Sequence, residues 1–181
     1  MPIRRTSNKS SQDSGFYNPE VYSDVGSRAV NPPSVAPVPI GSIAYSQSSV
    51  YGGTSAATNG PMTDGLQTGT QTGLSSGSGE WIKMDLGATY SVDRVVIGNA
   101  SSTVPPGGWS SSYTNNLDLQ YSLDDSNWTT IVNTGDKSAF TFLYTLSFSA
   151  VSARYIRLIS PSVLYIALTE FYALAPGQTY P

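Results

Sequence analysis

The chain of 181 residues contains neither cysteine nor histidine. Without them there are no disulfides, no thiolate nucleophile, no Cys/His zinc site and no catalytic relay built on imidazole. Charged residues are scarce as well, at 12% of the chain with a net charge of −3. Beyond Arg4, Arg5 and Lys9 no basic cluster exists, so nucleic-acid binding is not expected. No apolar run reaches the roughly 18 residues of a membrane-spanning helix, and no membrane insertion is expected. Arg4 and Arg5 imitate the start of a signal peptide, but Thr6 to Tyr22 is polar where an apolar core should follow. Export by the general secretory route is therefore not expected.

What remains is a surface of hydroxyls and amides on a chain long enough for one domain. Residues 1–40 are rich in Ser, Asn and Pro, closing on Pro32, Pro33, Pro37 and Pro39. Each proline fixes φ and removes a donor, so this segment reads as an extended arm laid along a partner chain. A disordered leader is the alternative. Residues 41–176 read as the folded domain and 177–181 as a short tail. From Gly41 onward, short alternating segments are separated by turn residues. Glu80 to Leu86 places Ile82, Met84 and Leu86 on one face. Val92–Ile97, Leu117–Tyr121, Trp128–Val132, Phe140–Phe148, Tyr155–Ile159 and Leu168–Leu174 follow, all rich in β-branched and aromatic residues. With Ser42–Ser46 these make eight strands and no helix, which predicts an all-β, antiparallel jelly-roll sandwich. Two connections, Gln47–Gly79 and Asn99–Asn115, are too long for simple turns and are expected to carry function.

Four blocks resemble the discoidin family, which includes coagulation-factor C-type domains and bacterial carbohydrate-binding modules of the galactose-binding fold. Trp81-Ile82-Lys83-Met84-Asp85-Leu86-Gly87 is similar to its W-x-x-x-DLG signature. Tyr121-Ser122-Leu123-Asp124-Asp125-Ser126-Asn127-Trp128 is similar to its Y-S-x-D-G-x-x-W hairpin. Ala153 to Leu158 resembles its A-R-Y-[VI]-R-L strand, and Thr169-Glu170-Phe171-Tyr172 its closing strand. The match runs from about Ile43 to Ala175. Trp81, Asp85, Trp128, Arg154 and Arg157 read as structural: the two indoles filling core volume, Asp85 bonding backbone donors or an arginine such as Arg157.

The resemblance also implies sites. Many members hold one structural calcium ion with an Asp-Gly turn, a Thr, carbonyls and the Glu of the last strand. On this chain those are Asp64, Thr68, Thr70 and Glu170, although the Trp that usually follows the Thr is absent. The alternative is that Asp64 shapes a turn and Glu170 bonds a backbone amide. The family's ligand loops correspond to Tyr51, Asn59, Trp109, Tyr113 and Asn115. Aromatic faces suit the C–H patches of sugars and amides bond paired hydroxyls. Those loops carry neither His nor Arg, unlike a galactose-type site, and Trp109 has packing against a neighbouring subunit as its alternative role. Adjacent in one turn, Asp124 and Asp125 are no glycosidase pair held across a cleft, so no enzyme is expected. The reading that joins a binding fold, an arm and no export signal is a multi-copy bacteriophage virion protein made in the host cytoplasm. It is expected to be anchored to other virion proteins by its arm and to touch host-surface glycans. A bacterial carbohydrate-binding module and a purely structural cement protein are the alternatives.

Overall fold

The computed structural model describes residues 35–50, 70–71, 79–99, 111–136, 143–162 and 165–179. Among them are seven strands and no α-helix: β1 (Ala44–Gln47), β2 (Thr70–Gln71), β3 (Trp81–Asn99), β4 (Asp118–Ser122), β5 (Thr129–Asn133), β6 (Leu143–Ile159) and β7 (Ala167–Leu174). All pairings are antiparallel, in the order β2-β7-β3-β6-β4-β5, with β1 on the remaining side of β3. The all-β architecture matches expectation, while the strand count differs for a physical reason. The segments expected at Glu80–Leu86 and Val92–Ile97 lie along one strand, β3, and of Phe140–Phe148 the described residues 143–148 share β6 with Tyr155–Ile159. β3 and β6 form one long ribbon that bends between Asp85 and Tyr90, where the pairing slips. Its halves serve two layers: Trp81–Asp85 runs between β1 and β6, Arg94–Gly98 between β6 and β7. β2 lies inside the long connection after β1; two residues are too few to leave a pattern.

Asp85-Leu86-Gly87 makes the bend. Gly87 has φ of 79°, a conformation side chains disfavour, and its N–H donates to Asp85 Oδ1 at 2.8 Å. Arg154 closes the other side of Asp85 with bonds of 3.1 and 3.2 Å. Burial would raise the Asp85 carboxyl, but the Arg154 and Gly87 bonds and the charges of Arg154 and Lys83 outweigh it and hold it low. The backbone donor was expected; the arginine is Arg154 and not Arg157. Arg157 lies opposite Lys83 and Gln120, bonds Gln120 Oε1 at 2.9 Å, and its guanidinium is 4.0 Å from the Trp128 ring centre.

Between the layers Ile82, Met84, Leu86, Val95, Ile97, Leu117, Leu119, Ile156, Leu158, Leu168, Phe171 and Tyr172 form one core. Period-2 alternation then turns Trp81, Lys83 and Asp85 outward. Trp81 is therefore not the core filler expected of it: it is half-buried on the outer face, with Lys83 Nζ 5.1 Å from its ring centre. Trp128 is half-buried too, beneath Arg157. Such cation–aromatic contacts stabilise by about 0.5–1 kcal/mol when exposed. The edge strand β5 carries Ile131 as the extra residue of a bulge, a feature that discourages pairing with other chains. Val38 belongs to the core, and the Gln178 side chain bonds its N–H and carbonyl at 2.8 and 3.0 Å, so the packed unit runs across positions 40/41 and 176/177.

Candidate functional site

The register fixes which strand ends coincide. Tyr45 lies opposite Met84, Phe171 lies opposite Ile97, and the buried Tyr45 hydroxyl donates to the Phe171 carbonyl at 2.5 Å. Burial pushes that hydroxyl's pKa far up, with the charge of Glu170 adding to the effect, so it stays a donor. The Met84 level of one layer therefore stands over the Ile97 level of the other. Moving away from the bend, Gln47, Trp81, Ile159 and Asp118 end one layer where Asn99, Leu168 and Thr70 end the other.

A short 3-10 turn, Ser111–Thr114, contacts both β3 and β7 at this end. Its base is rigid. Thr134 Oγ1 donates to the Thr114 carbonyl and accepts from Leu117 N–H, each at 2.9 Å, and Asn116, at φ 54°, donates its N–H to the Gly135 carbonyl. On that base Tyr113 packs against Ala167 and meets the Tyr165 ring at 5.4 Å between centres, tilted by 53°. Asn115 Nδ2 donates to Asp136 Oδ1 at 3.1 Å. Near the start of β3 the buried Glu80 accepts from the Ser48 and Ser49 hydroxyls at 2.5 Å each, and its carbonyl accepts from Ser160 N–H. That end thus carries two half-buried phenol rings, an amide–carboxylate pair and a carboxylate fastened to hydroxyls. Aromatic C–H stacking surfaces beside fixed hydroxyl partners are what a polyol ligand needs.

The model of the NedA-like, galactose-binding domain family matches residues 56–158, more than half of the sequence. The chain belongs to that family. No curated protein matches it. Among solved structures, this galactose-binding-like domain is similar to CpGH89CBM32-5 from Clostridium perfringens, in complex with GalNAc-β-1,3-galactose. The identity is 17% over 77% of this chain and 99% of that one, with a TM-score of 0.59. The family 32 carbohydrate-binding module of C. perfringens NanJ, in complex with galactose, is 16% identical over 76% and 97%, TM-score 0.60. A Streptococcus pneumoniae fucose-binding module is 18% identical over 79% and 97%, TM-score 0.59. At such identities the likeness establishes the β-sandwich fold.

Of the ligand-loop residues expected from sequence, Tyr113 and Asn115 lie at this end; Tyr51, Asn59 and Trp109 lie outside the described residues. Tyr165 and Asp136 were not anticipated. Tyr165 follows a turn and precedes the last core strand, and an aromatic there carries the same signal that singled out Trp109. Of the metal set, Asp64 and Thr68 lie outside the described residues and Thr70 is described by its backbone, which pairs with Leu168. Glu170 is fully buried on β7, two residues along from that pairing. Among the described residues no three His, Cys, Asp or Glu side chains gather as a metal site.

Proposed function

We propose that this domain is a non-catalytic glycan-binding module, with the Tyr113–Tyr165 pair as its stacking platform and Asn115 and Asp136 as hydroxyl partners. The tilted ring pair beside a fixed amide–carboxylate carries the reading. Asp124 and Asp125, the only adjacent acidic pair in the chain, sit in one turn with Asp125 paired to Lys83, and are not carboxylates held across a cleft as a glycosidase needs. The likeness to a bacterial module solved in complex with galactose and to a fucose-binding module favours the carbohydrate-binding-module alternative over a virion attachment protein. On a glycan array the isolated chain is expected to select galactose- or fucose-type ends. Tyr165→Ala and Tyr113→Ala should each weaken binding about tenfold, or 1.4 kcal/mol, without lowering the melting temperature. A blank array with a folded protein would leave the cement-protein reading standing.

The Ser-, Asn- and Pro-rich composition of residues 1–34 supports the finer placing in an assembly, where many copies would raise a weak affinity through avidity. Deleting 1–34 is expected to leave melting and glycan binding unchanged while abolishing incorporation into a particle or partner complex. Normal assembly by the truncated chain would sink the anchoring role. One calcium ion is the cofactor of this reading, held by Glu170 together with Asp64, Thr68 and Thr70. Glu170 is fully buried on β7, two residues from where Thr70 of the connection after β1 pairs with Leu168, which supports placing the two ends of the ligand set together. The ion would tie the connection after β1 to the last strand.

A further inference from the structure

At the opposite end, beside the Gly87 bend, the turn between β4 and β5 forms an open cavity of about 250 Å³ lined by Tyr121, Ser122, Leu123, Asp124, Asn127 and Thr129. Its chemistry centres on Asp124. Oδ1 accepts from Ser126 N–H at 2.9 Å, Asn127 N–H at 2.8 Å and the Ser122 hydroxyl at 3.0 Å; Oδ2 accepts from Asn127 Nδ2 at 2.7 Å. All these donors are neutral. The ion pairs among the described residues join Lys83 to Asp125, Arg94 to Asp93 and Arg154 to Asp85, so no cation pairs with Asp124. The bonds from Asn127 N–H, the Asn127 amide, Ser126 N–H and the Ser122 hydroxyl hold its carboxyl far below the usual range, and it stays charged. Oδ1 is filled by three donors, while Oδ2 has room for another.

The walls are as specific as the charge. Leu123 is 57% exposed, the most exposed large apolar side chain described, and it lines the cavity together with Tyr121. Thr129 and Asn127 line the same space and bring a hydroxyl and an amide to it, the Asn127 Nδ2 donating to Asp124. The volume is below the roughly 300–1,000 Å³ of pockets for drug-sized ligands, which leaves room for a single ring. A fixed anion, an apolar wall and hydroxyl-bonding groups in so small a space suit a cationic ring that also carries hydroxyls.

We propose that this hairpin cavity is a second ligand site, taking one amino-sugar unit with its ammonium on Asp124 Oδ2 and its ring against Leu123 and Tyr121. The site does not depend on the rim around Tyr113 and Tyr165. If both ends bind, one domain bridges two glycan chains, and avidity follows without any new contact. Acidic sugars are disfavoured by the same charge. A lysine side chain would satisfy Asp124 but leave Thr129 and Asn127 without hydroxyl partners.

The test is amide NMR of the whole chain titrated with glucosamine, N-acetylglucosamine, glucose and lysine amide. Glucosamine at about 10 mM, ten times a Kd of about 1 mM, is expected to shift Leu123 to Asn127 and Thr129. The N-acetyl sugar and glucose should bind about three- to fivefold more weakly, the scale of one exposed ion pair. Asp124→Asn keeps an acceptor for the turn and should erase that preference. Leu123→Ser, outside the turn's bonds, should weaken glucosamine while leaving the turn intact. Tyr165→Ala should change none of it, which separates this site from the rim. The proposal is overturned if no hairpin amide moves, if glucose or lysine amide matches glucosamine, or if Asp124→Asn binds as the parent does.

Discussion

Gly98→Ala is expected to destabilise the domain by about 3 kcal/mol, a large share of the roughly 5–15 kcal/mol that holds a typical domain together. Gly98 lies near the end of β3, opposite Glu170 on β7 and Leu143, the first residue of β6, just before the β3–β7 pairing slips. A methyl there would fall against the Thr169 hydroxyl, 2.5 Å from the Glu170 backbone nitrogen and 2.7 Å from its Cβ. Thr169 and Glu170 are fully buried, and the nearest atoms belong to a strand that cannot swing aside. The requirement is close approach of backbones, since no unusual φ is needed at this glycine. For a domain of this size the melting temperature should fall by about 6–12 °C. Gly41 is the control: an added methyl there meets nothing within 4 Å, and Gly41→Ala should melt with the parent. Equal melting of both variants would show that β3 and β7 can move apart at little cost.

The legible and illegible parts of this chain divide along physical lines. Alternation placed Ile82, Met84 and Leu86 on one face, and that face is the core. The same alternation obliges Trp81 to face outward: parity and not side-chain size decides which face a strand residue takes. Arg154 and Arg157 are three apart, so on a regular strand they face opposite ways. The slip in pairing beyond Asp85 brings Arg154 to its carboxylate, and a bulge of that kind leaves no mark in hydrophobic pattern. Asp125 occupies the place of the family's glycine in the hairpin, at φ 63°, and its two carboxylate oxygens accept from Lys83 Nζ at 2.8 and 2.6 Å. Asp-Asp-Ser-Asn signalled a turn without revealing that the second Asp would tie it to β3. At the rim, Tyr113 and Asn115 were reachable through the resemblance. Tyr165 and Asp136 were not, because their proximity depends on the Ser111–Thr114 turn bridging two layers that are distant in sequence.

Calcium is expected to raise the melting temperature of the chelator-treated chain by about 5–10 °C. Glu170 is the ligand on which that rise depends. Its side chain is fully buried on a strand in which every residue is buried, and its charge bears on the Tyr45 hydroxyl next to it. Calcium takes six to eight hard oxygens at about 2.3–2.6 Å, and a carboxylate on a rigid strand is a ligand already held in position. An ion bound only by the folded state stabilises it by about 2.7 kcal/mol at a hundred times its dissociation constant. At about 2–4 °C per kcal/mol for a domain of this size, that gives the stated shift. Glu170→Gln keeps the shape and removes the charge, so its melting should not respond to calcium or chelator. Asp64→Asn should weaken the calcium response while leaving the calcium-free melting unchanged, which distinguishes a ligand from a residue that shapes a turn. Identical melting of the parent in calcium and in chelator would remove the ion from this domain and leave Glu170 as a core carboxylate held by protein groups alone.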